Sequence, residues 1–260
     1  MTILFIIVAL FLLAISFVTY NYFYNKEKFN SKENINMEFE NIIIIPYRDR
    51  AEHLQYFIKN VVPLIVEHMP KTRIVVVEQN DGKLFNRGMV LNIGFREYEN
   101  KTKYFFTHDV DIHPSLNIIK YIYTKEDIEM FRIKSAHASS LGGIIKVKHD
   151  IIFYINGFPN NIWGWGIEDR ALYYRCLMKN INITNNPDEE FKIMPHISNA
   201  IKYTGEKKKI SDMWSPNYIN KLNNEEKKEM VYNDGLNNLK YEILDRKMLH
   251  PIVELIKVDI

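Results

Sequence analysis

The sequence predicts an α/β protein with a central, mostly parallel sheet, preceded by a transmembrane helix. Three observations carry that reading. Apolar runs rich in Ile, Val and Phe recur at 42–45, 74–77 and 104–106, each the length of a buried strand. Between them Leu54, Phe57, Ile58, Val61 and Ile65, and then Met89, Val90, Ile93 and Tyr98, return at helical spacing. Ahead of all of these, Ile3 to Val18 carries no charge and a single polar side chain, Ser16.

That N-terminal stretch continues to Tyr24, and a helix needs about 20 residues to cross a bilayer. A basic leading segment and a small-residue cleavage site are both missing, so an uncleaved anchor fits better than a removed signal peptide. Tyr20, Tyr22, Phe23 and Tyr24 would form an aromatic belt, followed by Lys26 and Lys28. Residues 25–36 mix Lys, Glu, Asn and Ser without apolar periodicity, which suits a solvated stem. The expected organisation is an anchor at 1–24, a stem at 25–38 and a folded domain at 39–260.

Strand alternating with helix calls for crossover connections and parallel neighbours, and such sheets bind ligands beyond the carboxyl ends of their strands. The 260 residues are 47% hydrophobic and 25% charged, as in a globular chain with a substantial core. A net charge of +2 with dispersed lysines excludes a nucleic-acid footprint. Cys176 is the single cysteine, so an intramolecular disulfide is excluded too. The polar, lysine-rich stretch 202–228 is expected to be a long loop or mobile lid.

Two segments carry chemistry. His108-Asp109-Val110-Asp111 follows the third strand at once, and strand geometry turns Asp109 and Asp111 to one face. Paired hard carboxylates there suit Mn²⁺ or Mg²⁺ with coordination positions left for diphosphate oxygens; a solvated turn is the plain alternative. The second segment runs from Asn156 through Phe158-Pro159 and Trp163-Gly164-Trp165-Gly166 to Glu168-Asp169. Aromatic faces pack against the apolar face of a pyranose, and glycines allow close approach and hinge motion. The plain alternative makes the tryptophans core anchors, with Glu168 and Asp169 as first-turn charges of a helix over 171–178.

Together these segments resemble the β-1,4-galactosyltransferase family, in unbroken motif order from about Asn41 to Ile260. The matching pieces are Ile44-Ile45-Pro46-Tyr47-Arg48-Asp49-Arg50, Phe85-Asn86-Arg87, Leu91-Asn92-Ile93-Gly94-Phe95, the acidic pair, Gly142-Gly143, the tryptophan stretch, and Asp234-Gly235-Leu236-Asn237 with Tyr241 and Leu244-Asp245. The resemblance implies a GT-A type, Rossmann-like nucleotide-sugar-binding domain and an inverting transfer from a UDP-sugar donor. It places Pro46, Tyr47, Arg48, Arg50, Phe85 and Arg87 at the UDP, with Asp109, Val110, Gly142 and Gly143. Arginine forks suit diphosphate oxygens, and an aromatic face suits a base. Asp169 would be the catalytic base, with Glu168 orienting the substrates and Trp165 beside them. Asp111 would ligate the metal, joined by Met194 and His196, a donor set that Mn²⁺ tolerates better than Mg²⁺.

Three departures from the family pattern bear on specificity. Ile193 takes a position where the family has a ligating Met. Ser140 replaces the bulky Tyr of galactose-transferring members, which makes room for the acetamido group of UDP-N-acetylgalactosamine. Arg170 replaces a carboxylate that holds the acceptor N-acetylglucosamine, so a different glycan or glycoconjugate acceptor is expected. On orientation, Lys26 and Lys28 favour a cytosolic domain, whereas such anchors lead into a Golgi- or ER-like lumen. A silent lectin-like relative would keep the cleft without the acidic residues. A metal-dependent phosphotransferase or nuclease would want more carboxylates and no tryptophan loop.

Overall fold

The computed structural model describes residues 37–195 and 204–260, and the compact unit runs from Met37 to Ile260. The predicted anchor at 1–24 and nearly all of the stem lie outside the described residues. Among the described residues, no helix is long and apolar enough to cross a membrane.

The chain begins with β1 (Phe39–Tyr47), α1 (Ala51–Asn60), α2 (Val62–His68), β2 (Thr72–Gln79), α3 (Arg87–Glu97) and β3 (Thr102–His108). β4 (Ile112–Pro114), a π-helical turn (Ile118–Tyr123), β5 (Met130–Lys134), β6 (Ile144–Lys148) and α4 (His149–Tyr154) follow. Then come α5 (Glu168–Met178), β7 (Ile183–Asn185), β8 (Phe191–Ile193), α6 (Gly205–Met213), α7 (Pro216–Ile219) and α8 (Asn224–Tyr232). A 3-10 turn at Leu236–Asn238 leads into β9 (Glu242–His250) and β10 (Val253–Asp259).

Eight strands form one sheet in the order β7-β5-β6-β3-β1-β2-β10-β9. β1 pairs in parallel with β2 and β3, and β10 in parallel with β2. The three predicted strand runs are the centre of this parallel block. β6 and β9 run antiparallel to their neighbours, so the sheet is mixed at both flanks.

Alternation along β1 assigns its side chains to two cores. Ile42 and Ile44 join α3 residues Val90, Leu91 and Ile93 on one face, while Ile43, Ile45 and Tyr47 join Leu54, Phe57 and Ile65 of α1 and α2 on the other. Helices therefore cover both faces, which explains why these strands read as continuous apolar runs. β1 leads through α1 and α2 to β2 on one side, and α3 returns the chain to β3 on the other. That crossing places a topological switch point beyond the carboxyl ends of β1 and β3.

Two expectations are corrected. The stretch 202–228 is largely helical where described, forming α6, α7 and the start of α8. Ser215 caps α7 through the Tyr218 amide, and Asn223 with Glu226 forms a capping box on α8. The apolar signal was thin because few side chains, Trp214, Ile219 and Val231 among them, are buried while the lysines stay in water. The helix expected over 171–178 starts three residues earlier, taking Glu168 and Asp169 into its first turn.

Candidate active site

A cleft of about 1090 Å³ opens at the switch point. Its walls come from the ends of β1 and β3, the start of α3, the segment 134–143, and the tryptophan loop leading into α5. Pro46, Arg48, Arg50, Phe85, Arg87, Asp109, Val110 and Asp111 line it, together with Ser140, Gly142, Gly143, Trp165, Glu168 and Asp169. The sequence separates these groups by more than a hundred residues; the fold brings them to one space.

Tyr47 does not line the cleft. It follows Ile43 and Ile45 into the core under α1 and α2, because residues two apart on a strand share a face. Its neighbours Pro46 and Arg48 take the cleft side. Arg48 Nη1 donates to the Lys83 carbonyl at 2.7 Å, and its guanidinium lies 5.2 Å from the Phe85 ring centroid.

Arg87 is the hub of the cleft floor. Its Nε donates to Asp109 Oδ1 at 2.9 Å and its Nη1 to Asp169 Oδ1 at 2.6 Å, with Glu168 Oε1 3.9 Å away. One guanidinium thus joins the acidic pair after β3 to the acidic pair that opens α5. Burial alone would lower the Arg87 pKa, but Asp109, Asp169 and Glu168 outweigh it and hold the group cationic. Burial pushes Asp109 up to about 6 against the pull of Arg87. Burial, reinforced by the Asp169 charge, pushes Glu168 up to about 8. Burial and the Asp169 charge thus favour the protonated form of the Glu168 carboxyl, which can donate a hydrogen bond, and its Oε2 is buried without a protein partner.

The pieces around the hub are held by residues whose chemistry is structural. Asn86 caps α3 by accepting from the Met89 amide at 3.0 Å, and reaches the Asn160 carbonyl at 2.6 Å. Asn92 donates to the Phe158 carbonyl at 2.8 Å and accepts from its amide at 2.9 Å. Asn156, at φ 60°, ties Val231 and Asn237 to this loop, while buried Arg175 donates to the carbonyls of Asn156 and Gly157 at 2.8 Å. Much of the segment expected to meet a sugar, from Asn156 to Asn160, is thus a buckle joining α3, α5 and the 234–238 turn. The part that reaches the cleft is Gly164 to Asp169. Trp165 is 59% exposed there, which suits a platform and not a core anchor.

Ile167, directly before the acidic pair, has φ 85°, a costly conformation for a β-branched residue. Its side chain is buried with Ile162, Ala171, Trp214 and Ile219, and that packing holds the strained turn. Lys207 of α6 donates to the carbonyls of Trp163 and Trp165 at 2.9 and 2.7 Å, fastening α6 to the tryptophan loop. Arg170 lines the cleft, and its Nη2 donates to Ser211 Oγ at 2.7 Å.

Gly142 and Gly143 both line the cleft, as expected of residues near the donor, and their surroundings differ. Gly143 has φ 71°, and a Cβ there would fall 2.5 Å from the Lys134 carbonyl oxygen. The space beside Gly142 is filled by the Asp169 carboxylate.

For a metal, Asp111 and Met194 adjoin. The Met194 amide donates to the Asp111 carbonyl at 2.8 Å, continuing the antiparallel pair of β4 and β8. His196 lies outside the described residues. Among the described residues, no cluster of three or more His, Cys, Asp or Glu side chains is arranged to hold a metal ion. The contact that brings Met194 to Asp111 is thus between main chains, and of Ile193 and Met194 it is Ile193 that lines the cleft with Asp111.

Sequence reasoning missed Arg87 as a bridge, Lys207 as a fastener and Arg175 as a buried cross-link. Arg87 opens a helix, Lys207 is the first of three consecutive lysines and Arg175 interrupts the largely apolar run 171–178, and only tertiary contacts reveal what each of them holds.

A family model described as the N-terminal region of glycosyl transferase group 7 matches residues 21–123, and one described as the N-terminal domain of galactosyltransferase matches residues 124–198. Human β-1,4-galactosyltransferase 1 is 30% identical over 226 residues, covering 84% of this chain and 54% of the relative. Human β-1,4-galactosyltransferase 6 is 28% identical over 220 residues, covering 76% and 51%. The chain therefore spans about half the length of the curated relatives it matches. Among solved structures, the catalytic domain of Drosophila β-1,4-galactosyltransferase 7 with xylobiose superposes with a TM-score of 0.69 at 22% identity, covering 85% of this chain and 93% of that one. S. aureus TarS 1–349 in complex with UDP-GlcNAc gives 0.52 at 10% identity, covering 75% and 71%. Both share the mixed α/β fold.

Proposed function

Because the chain belongs to the glycosyltransferase group 7 family, together with the β-1,4-galactosyltransferases, we propose that it is an inverting β-glycosyltransferase moving galactose or N-acetylgalactosamine from a UDP-sugar onto a sugar acceptor. The observation that carries this reading is the Arg87 bridge, which joins the acidic pair after β3 to the acidic pair of α5 within one cleft. A structure of the Drosophila relative holds manganese, UDP-Gal and xylobiose, which supports the same classes of ligand here.

In this mechanism Arg48 and Arg50 meet the diphosphate and Phe85 stacks on uracil. Asp111, Met194 and His196 would hold Mn²⁺, which neutralises charge on the departing UDP. Asp169 takes the proton from the acceptor hydroxyl, opposite the leaving group. Glu168, whose protonated form burial favours, hydrogen-bonds and orients the substrate beside Trp165. Asp169→Asn keeps the shape but removes the basicity, so turnover should fall roughly 10²- to 10⁴-fold with UDP affinity little changed. Assaying UDP release from UDP-galactose and UDP-N-acetylgalactosamine, with Mn²⁺ or EDTA, against a glycan array tests the whole reading. Transfer that persists in EDTA, or a fully active Asp169→Asn protein, overturns it.

Donor choice rests on Ser140, on the cleft wall where a tyrosine would fill the space around the sugar C2 substituent. A serine hydroxyl there adds about 1 kcal/mol by hydrogen-bonding the acetamido group. UDP-N-acetylgalactosamine should therefore be used at least as well as UDP-galactose, and Ser140→Tyr should shift kcat/KM toward galactose. A strong galactose preference unchanged by that substitution removes Ser140 from the donor site. Residues 1–24 are proposed as a single-pass anchor holding the domain toward a Golgi- or ER-like lumen, which carbonate extraction and protease protection of membranes would test.

A further inference from the structure

The backbone of residue 142 does not require glycine. Gly143 takes the left-handed conformation that favours glycine, whereas the φ of Gly142 lies outside that region and is open to any residue. A side chain is forbidden there by Asp169. A Cβ built on Gly142 falls 2.6 Å from Asp169 Cγ and closer still to Oδ2. The same two segments are joined through the main chain, the Leu141 amide donating to the Asp169 carbonyl at 3.1 Å. On the far side, Arg87 holds Oδ1 at 2.6 Å. One carboxylate oxygen is gripped by a guanidinium, and the other lodges in the gap that a missing Cβ leaves.

We infer that Gly142 is a positioning residue for Asp169, a role that rests on reading Asp169 as the base. A proton acceptor must sit within hydrogen-bond reach of the acceptor hydroxyl while that oxygen is in line with the bond being made. A misplacement of about 1 Å can cost on the order of 10² in rate. A methyl at 142 takes the place that the carboxylate occupies. The carboxylate is the movable end of a side chain, so it rotates away from the cleft-facing position and from Arg87, and the backbone stays as it is. The loss falls on turnover, and the fold survives.

The test is a cycle of Gly142→Ala, Asp169→Ala and the double variant in the full chain. UDP release from UDP-galactose with Mn²⁺ is measured with xylobiose and N-acetylglucosamine as acceptors, UDP binding by calorimetry, and thermal stability by scanning. Gly142→Ala is expected to lower kcat by about 10- to 100-fold, with UDP affinity within about threefold. In the Asp169→Ala background it should change neither the residual rate nor Tm, because the atoms it displaces are gone. Wild-type turnover in Gly142→Ala overturns the inference. So does a loss of UDP affinity as large as the loss of kcat, or a drop in Tm that persists without the Asp169 side chain. Gly143→Ala, strained in backbone and close to the Lys134 carbonyl, should instead lower Tm by itself. If Asp169→Asn turns over normally, the base assignment falls, whatever Gly142→Ala does.

Discussion

Removing the Arg87 guanidinium would leave Asp109, Glu168 and Asp169 without the cation that now joins them. Breaking a fully buried ion pair costs about 3–5 kcal/mol; Asp109 and Asp169 are only partly buried, so Arg87→Ala should lose less than that in urea unfolding and be inactive. Arg87→Lys should recover part of the stability and little activity, since one ammonium cannot span two carboxylates as the fork does. Glu168 makes a separate prediction in pH. Burial and the Asp169 charge hold its folded pKa well above the ordinary carboxylate value, so from that ordinary value up to the raised one the folded chain binds the proton that the unfolded chain has released. Stability then falls as pH rises across that window. Asp109, raised to about 6, adds the same sign over the lower part of the range. The metal-free protein should therefore lose Tm from pH 5 to pH 8, and Glu168→Gln should flatten the loss; an unchanged slope would mean that Glu168 is ionised in the folded cleft.

Among the elements, α3 is set by close packing on β1. A Cβ at Gly94 would lie 2.5 Å from Ile44 Cγ2, and Ile44 is wholly buried at the sheet centre. Gly94→Ala should cost roughly 1–3 kcal/mol through overpacking, measured by denaturant midpoint, and should shift α3 with Arg87 at its first position. The helix α6 acts on the tryptophan loop through the two Lys207 bonds. Lys207→Met should loosen that loop, change the Trp165 fluorescence and raise the acceptor KM several-fold. Acceptor KM and fluorescence that both stay constant would show that α6 does not hold the loop. The other end of the sheet is guarded: β9 is an exposed edge strand whose register with β10 shifts twice, and Asp245, Arg246 and Lys247 occupy its middle. Bulges and charges of this kind keep an edge from pairing with another chain.

At the scale of the molecule, the parallel centre was legible because strands buried on both faces must be apolar throughout, as 42–45, 74–77 and 104–106 are. The cleft was legible from motif order: Asp109, Asp111, Glu168 and Asp169 stand at element ends, where the sheet topology carries them to one place. Tyr47 was misplaced because a motif names a segment, whereas strand alternation decides which of its side chains face the ligand. The helices after residue 204 escaped notice because they bury so little, and the Asn156–Asn160 buckle was read as ligand-facing with the tryptophans and glycines that follow it, whereas its asparagines are used to join elements. β10, residues 253–259, is an interior strand and lies between β2 and β9, although it is made long after β2. During synthesis β2 must wait with an unpaired edge while some 170 residues emerge behind it. The domain therefore closes only after translation has passed residue 259, and a ribosome that stops short of β10 releases a chain with the centre of its sheet open to aggregation and proteolysis.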